Sequence, residues 1–117
     1  MNKEFINWDD FQKIEMRIGT IIKVTDFPKA NNPSYLLYVD FGDLGIKKSA
    51  AQITKNYTKK ELIGQQIIAV VNLPKKQIAN IQSEFLTLGA TEAQTDKVIL
   101  IQPFDRKSSF TIFFIFY

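Results

Sequence analysis

The fold is first indicated by the stretch Met16-Arg17-Ile18-Gly19-Thr20-Ile21-Ile22-Lys23-Val24, in which apolar residues recur with a period of two. The pattern assigns one face of a strand to Met16, Ile18, Ile22 and Val24 and the other face to Arg17, Ile21 and Lys23. Gly19 interrupts this row, as a bend or a β-bulge would. The stretch therefore predicts a long first β-strand with a break at Gly19.

A short helix is predicted before this strand, over residues 7 to 14. Asp9 can cap the helix, and Gln12 follows three residues later, as in a capping box. Phe11 and Ile14 fall on one face of it. We expect this helix to cover one end of the fold.

Two more strands after the first predict a hairpin. Residues 35 to 41 alternate Tyr35, Leu37, Val39 and Phe41 against Leu36, Tyr38 and Asp40. A turn-rich segment at residues 27 to 33 precedes this strand, and the glycines within residues 42 to 45 supply a tight reversal into residues 46 to 53. The second and third strands should therefore be antiparallel neighbours.

The second half of the chain predicts another short helix and three more strands. Thr58 and Glu61 have the spacing of a capping box, and Gly64 ends the helix. The predicted strands are residues 66 to 71, 84 to 88 and 97 to 102.

This order of elements predicts an all-β protein with an OB fold. We expect a Greek-key, five-stranded barrel with a short N-terminal helix and a short helix between strands 3 and 4. The length of 117 residues fits one domain, 1 to 117, with a core at about residues 8 to 103 and a divergent apolar tail at residues 104 to 117.

Composition excludes several classes of protein. Cysteine and histidine are absent, which removes disulfides, Ser-His and Cys-His nucleophilic systems and the usual zinc ligands. The nearest carboxylate pairs, Asp9 with Asp10 and Asp40 with Asp43, fit a helix cap and a turn. We therefore expect no catalytic residue, no metal and no cofactor.

The chain also lacks membrane and secretion signals. No stretch approaches the roughly 18 apolar residues of a membrane helix. The N-terminus has no basic-then-apolar signal pattern. The expected location is cytoplasmic, without membrane insertion.

Positive charge is concentrated in one part of the chain. Residues 46 to 83 hold seven lysines and one acid, a sum of +6, whereas the whole chain carries +3. A basic face of this kind suits a polyanion, because lysine neutralises phosphates and releases their counterions. The alternative is a solvated surface with no ligand.

Several separated blocks resemble the CsaA family. They lie at residues 11 to 21, 40 to 42, 45 to 57, 62 to 64, 69 to 74, 78 to 79, 83 to 84 and 88 to 89. The resemblance spans about residues 8 to 103 and extends to the C-terminal tRNA-binding domains of some methionyl-tRNA synthetases. It implies an OB-fold homodimer that binds tRNA by shape and phosphate charge, holds unfolded or export-destined polypeptides as a chaperone, or does both. The alternative is a tRNA-binding module that acts in trans in aminoacylation or tRNA handling, without chaperone activity.

The resemblance also indicates which residues bind. The family's basic and polar surface corresponds here to Lys47, Lys48, Gln52, Lys55, Asn72, Lys76 and Ser83, and the neighbouring Lys75 and Arg17 are added as RNA-binding candidates. Asn72 and Ser83 could equally hold their own loops, and Arg17 could instead form an ion pair with Asp40 or another acid. A peptide groove could be lined by Phe27, Tyr35 and Tyr38 if these aromatics are exposed, although aromatics at strand spacing are often core residues.

The sequence departs from the family pattern after Pro74 and at its end. Gln77 replaces a basic residue, and Asn80 replaces a glycine, for which it could adopt the left-handed conformation. Residues 110 to 117 are uncharged, apolar and β-prone, so an exposed edge there would aggregate. We expect this tail to pair across a dimer interface or to be an altered terminus.

Overall fold

The computed structural model describes residues 3 to 95 and 97 to 105. Its α-helices are α1 (Trp8–Gln12) and α2 (Lys59–Leu62), and a short 3-10 helix spans Gly42–Leu44. Its strands are β1 (Met16–Asp26), β2 (Tyr35–Asp40), β3 (Ile46–Ala51), β4 (Gln66–Val70), β5 (Lys76–Ile78), β6 (Ile81–Ser83), β7 (Leu86–Thr87), β8 (Gly89–Thr91) and β9 (Val98–Leu100). The prediction for residues 110 to 117 lies outside the described residues.

Five antiparallel strands form the main sheet in the order β3-β2-β1-β4-β7. The sheet curls into a nearly closed barrel, and β5–β6 and β8–β9 form two additional hairpins. The predicted all-β OB barrel with its two short helices is confirmed. The predicted strand 84 to 88 is shorter than expected, because residues 84 and 85 cross between β6 and β7 without joining either.

The interior of the barrel corrects the predicted faces of β1. Ile21 is fully buried, Ile22 is 43% exposed, and the β1–β2 register shifts between Ile21 and Lys23. The bulge therefore lies at Ile22, not at Gly19. Gly19 instead permits close packing, since a Cβ atom there would lie 2.5 Å from Cγ1 of Val39.

Both α-helices begin at a side-chain cap. The Asn7 side chain accepts a hydrogen bond from the Asp10 amide at 2.7 Å, so Asn7 caps α1 and the prediction of Asp9 is wrong. In α2 the predicted capping box is confirmed: Thr58 Oγ1 accepts from the Glu61 amide at 3.3 Å, and Glu61 Oε1 accepts from the Thr58 amide at 2.6 Å.

Tyrosine hydroxyls connect β2, β9 and the turn after β3. The Tyr35 hydroxyl donates to the Tyr57 carbonyl at 2.7 Å, and the Leu100 amide donates to the Tyr57 hydroxyl at 3.0 Å. Asn56 Nδ2 also donates to the Val98 carbonyl at 3.3 Å. Residues 56 and 57 thus hold the edge of β9 that faces away from β8.

Within the described residues, no helix is long and apolar enough to cross a membrane.

Candidate nucleic-acid interface

The barrel closes where residues 48 to 50 of β3 meet residues 83 to 85, a contact we call the seam. The Glu84 amide donates to the Lys48 carbonyl at 2.9 Å, and the Lys48 amide donates to Glu84 Oε1 at 3.0 Å. The Ala50 amide donates to Ser83 Oγ at 3.3 Å. Ser83 Oγ and Ser49 Oγ lie 2.7 Å apart, and Ser49 Oγ donates to the Phe85 carbonyl at 2.7 Å. The seam is thus closed largely by side chains.

A groove of about 790 Å³ lies beside the seam. Its polar lining includes Lys29, Asn31, Asn32, Gln52, Lys76, Gln77, Ser83 and Glu84. Its apolar lining includes Ile53, Leu73, Pro74, Leu86, Val98 and Leu100. Leu73 and Leu86 are about half exposed, at 50% and 51%. The groove therefore offers amide, ammonium and apolar groups side by side.

The seam brings three of the predicted lysines together. Lys76 pairs with Ser83 in the β5–β6 hairpin, and the Nζ atom of Lys75 lies 3.7 Å from Oε2 of Glu84. The same carboxylate holds the amide of Lys48. Glu84, a residue that sequence reasoning did not select, thus contacts the backbone of Lys48 and the side chain of Lys75, and Lys76 is paired with the residue before it.

Lys47 and Lys55 are placed differently. Lys47 shares a face of β3 with the buried Ser49 and Ala51, so it points to the side opposite Lys48. Lys55 is exposed in the turn after β3. Lysines that are close in sequence therefore do not form one continuous patch.

Asn72 and Arg17 have structural contacts. Asn72 Oδ1 accepts from the Glu15 amide at 2.9 Å, and Nδ2 donates to the Lys13 carbonyl at 2.6 Å. Arg17 is ion-paired with Glu15 at 2.9 Å and with Asp43 at 3.0 Å, and its side chain is only 15% exposed. The ion-pair alternative for Arg17 is thus observed, with Asp43 and Glu15 as partners. RNA binding by either residue stays a prediction.

The tip of the β5–β6 hairpin corrects the role expected of Asn80. Ala79, not Asn80, has the left-handed conformation, with a φ of 49°. Gln77 Nε2 donates to the Ala79 carbonyl at 2.7 Å, and Gln82 Nε2 donates to Gln77 Oε1. Gln77, which stands where the family pattern has a basic residue, therefore stabilises this turn.

For Phe27 and Tyr35 the core alternative is observed, and not an exposed ring. Phe27 is 6% and Tyr35 is 8% exposed, because both lie on the buried side of their strands or loops. Tyr38 is half-buried on the outer face of β2, where the Lys23 ammonium lies 5.0 Å from its ring centroid. Of the three predicted peptide-binding aromatics, only Tyr38 is accessible to a ligand.

Sequence reasoning missed the first loop of the groove. Lys29, Asn31 and Asn32 belong to the segment 27 to 33, which was predicted only as a turn. Its cluster of lysine and asparagine residues next to two prolines was the available signal. Which side of the barrel this loop covers depends on the fold and could not be read locally.

The predicted carboxylate pairs have structural contacts, among them the ion pair of Asp43 with Arg17. Asp40 Oδ1 accepts from the Gly42 amide at 2.8 Å, and Asp10 lies 3.3 Å from Lys13. In residues 3 to 95 and 97 to 105, no group of three carboxylates is placed to hold a metal ion.

Comparison with known proteins identifies the family. Residues 16 to 109 match the sequence profile described as "Putative tRNA binding domain". The CsaA chaperone of Bacillus anthracis is 43% identical, with a TM-score of 0.87 over 93% of this chain and 99% of its own. The chain belongs to the CsaA family of tRNA-binding-type domains. The predicted resemblance is confirmed.

Other relatives show the range of this family. The CsaA chaperone of Picrophilus torridus is 50% identical, with a TM-score of 0.86 over 92% of this chain and 99% of its own. A methionine–tRNA ligase of Thermococcus kodakarensis is 32% identical over 100 residues, which are 86% of this chain. The CsaA-type chain spans only 13% of that ligase, so it corresponds to one module of the larger enzyme.

Proposed function

We propose that this CsaA-type chain is a non-catalytic module that binds tRNA through phosphate contacts beside the seam. The observation that carries the proposal is the presence of Lys48, Lys75 and Lys76 along the seam, beside a groove that Lys76 lines, in a member of a tRNA-binding-type family. Gln52 and Asn31 add neutral hydrogen-bonding groups to the lining of the groove. Phosphate contacts of this kind position RNA without reading its bases.

The test is a titration of labelled tRNA with purified protein at low and physiological salt. Lys48→Glu/Lys76→Glu should weaken binding and reduce the salt slope by roughly 0.7 to 0.9 for each phosphate that is no longer neutralised. Lys3→Glu/Lys13→Glu is the matched control, because it makes the same charge change on exposed residues away from the groove. Equal reductions in affinity for both variants would contradict a localised site.

Lys47 and Lys55 are to be tested separately. We propose them as weaker contacts, since Lys47 lies on the other face of β3 and Lys55 lies beyond its end. Lys47→Gln should therefore change tRNA affinity less than Lys48→Gln. The reverse order would move the proposed surface to the opposite face of the strand.

A second candidate function is the holding of unfolded polypeptide, as in a CsaA chaperone. The half-exposed Leu73 and Leu86 in the groove favour polypeptide binding, because apolar side chains do not contribute to the binding of phosphates. Action on export-destined polypeptides in the cytoplasm belongs to this candidate. Without it, the protein would serve tRNA in trans, in aminoacylation or tRNA handling.

Suppression of aggregation of an unfolded reporter protein tests this candidate. Leu73→Ser/Leu86→Ser should lose the suppression and keep tRNA binding. Ile46→Ser/Ile63→Ser makes the same chemical change at residues that are 61% and 52% exposed and do not line the groove. Suppression that survives Leu73→Ser/Leu86→Ser would place polypeptide binding outside the groove, whereas a wild-type protein that does not suppress aggregation would be assigned to tRNA alone.

The proposed assembly is a homodimer. Phe5 and Phe104 are fully exposed, and Ile6 is 63% exposed, so both ends of the described chain present apolar side chains that water does not favour. Phe5→Ser/Phe104→Ser should weaken association in light scattering. A monomeric wild-type protein at micromolar concentration would contradict the dimer.

A further inference from the structure

Three side chains form a row across the outer face of the barrel. Lys23 of β1 is paired with Tyr38 of β2, and Tyr38 is paired with Lys48 of β3. The residues on either side of Tyr38, Leu37 and Val39, are fully buried in the core. Because side chains alternate along a strand, Tyr38 points outward between two lysines.

The ring of Tyr38 is held in place and remains partly exposed. It packs against the outer cluster that includes Leu36 and Ala50, while the Lys23 ammonium lies 5.0 Å from its centroid. Lys23 itself is exposed. An exposed cation over a packed ring can be replaced by another group that stacks on the same ring.

Both lysines of the row keep their charge available. In the described parts of the chain, neither the Lys23 nor the Lys48 ammonium has a carboxylate within 4.0 Å. In contrast, Lys59 is paired with Asp26 at 2.7 Å and Lys75 with Glu84 at 3.7 Å. The row therefore presents two uncompensated positive charges on either side of one aromatic ring.

We propose that this row binds one unpaired nucleotide of RNA, with its base stacked on Tyr38 and its flanking phosphates bound by Lys23 and Lys48. When the base stacks on the Tyr38 ring, the Lys23 ammonium moves from the ring to a phosphate. The ring and the ammonium then each have a partner. Two strand spacings separate the Cα atoms of the lysines by roughly 10 Å, which leaves room for a nucleotide between them. The inference rests on the proposed function and adds a contact to single-stranded RNA.

The chemistry of the row favours RNA over an acidic peptide. An acidic peptide would satisfy the two charges but would leave the ring without a planar partner. Every base has a π-face that can stack on an aromatic side chain, independent of sequence. We therefore expect the row to bind unpaired nucleotides with little base preference.

The test uses a short single-stranded RNA that contains 2-aminopurine, whose fluorescence is quenched by stacking. The wild-type protein and Tyr38→Phe, which keeps the ring, should quench it. Tyr38→Leu keeps apolar volume against the outer cluster but has no ring, so it should abolish the quenching and weaken binding by about tenfold. Lys23→Gln should reduce the salt slope by roughly 0.7.

Controls separate this inference from the proposed function. Phe11→Leu makes a comparable change at a half-buried ring in α1, outside the row, and should bind as the wild type does. Thermal unfolding shows whether Tyr38→Leu is folded. The affinity for an RNA duplex of the same sequence should be the same for the wild-type protein and for Tyr38→Leu. The inference would be overturned if Tyr38→Leu quenched the fluorescence as strongly as the wild type. It would also be overturned if an acidic peptide at equal concentration displaced the RNA. If Tyr38→Leu binds tRNA with wild-type affinity, the inference is overturned as well, and the proposed function is left intact. If the wild-type protein does not bind tRNA, the proposed function itself is refuted.

Discussion

The hydroxyl oxygens of Ser49 and Ser83 lie 2.7 Å apart, although 34 residues separate them in the chain. Ser49 donates to the Phe85 carbonyl, and Ser83 accepts from the Ala50 amide. Since each hydroxyl has one hydrogen, the consistent direction runs from the Ala50 amide through Ser83 and Ser49 to the Phe85 carbonyl. Two serines thus complete the hydrogen bonding between β3 and the segment that closes the barrel.

Ser49→Ala should destabilise the protein by about 1 to 3 kcal/mol, because it leaves buried partners of the hydroxyl without a hydrogen bond. Ser49 is 2% exposed, so water does not replace the missing bond. Thermal unfolding of Ser49→Ala, Ser83→Ala and the double variant measures the coupling. Strictly additive destabilisation would contradict a shared hydrogen-bond chain.

Glu84→Gln should strengthen tRNA binding and steepen its salt dependence by up to roughly 0.9. The amide oxygen of glutamine can still accept from the Lys48 amide, while the charge that now neutralises Lys75 at 3.7 Å is removed. Glu4→Gln removes the same charge from an exposed residue at the N-terminal end and serves as the control in the same titration. Identical slopes for the two variants would mean that Lys75 does not contact RNA.

Ala79→Gly should leave the free energy of unfolding unchanged or raise it by up to about 1 kcal/mol. An L-residue in the left-handed conformation is strained by about 1 kcal/mol, and glycine removes this strain at the φ of 49°. Ala90→Gly, at an exposed residue of β8, should instead lower stability by roughly 0.5 to 1 kcal/mol. Denaturant unfolding of both variants gives the comparison, and a greater destabilisation by Ala79→Gly would contradict the turn geometry.

Asn72→Ala should lower stability by about 1 kcal/mol and accelerate amide exchange around residue 15. Its side chain bonds both the Glu15 amide and the Lys13 carbonyl, and so ties the connection between α1 and β1 to the end of β4. Asn80→Ala, at the exposed hairpin tip, is the control. Weaker tRNA binding without a change in stability would restore Asn72 as an RNA contact.

Local patterns in the sequence were sufficient to predict β1 to β4 and α2. The alternation over Tyr35 to Phe41 and the Thr58–Glu61 capping box depend on residues a few positions apart, so they can be read directly. The position of the bulge could not be read in this way. A register shift at Gly19 and one at Ile22 would both interrupt the alternation of apolar residues. Only the pairing of β1 with β2, in which Gly19 packs against Val39, decides between them.

Residues of the candidate site were harder to predict, because the site is assembled across the seam. Lys48 and Lys75 meet at Glu84 only after β3 closes on residues 83 to 85. Adjacent lysines such as Lys47 and Lys48 separate onto two faces for the same structural reason. For Phe27 and Tyr35, the strand period left open which face would be the interior.

The contacts of Asn56 and Tyr57 with β9 limit how a second copy of this chain can associate with that strand. An unpaired strand edge is a template for another chain, because its amides and carbonyls are free to extend the sheet. Here the Leu100 amide and the Val98 carbonyl are already bonded to side chains of the same molecule. A second chain that added a strand at this edge would first have to displace Tyr57 and Asn56, so the edge is protected against unspecific sheet extension and self-aggregation.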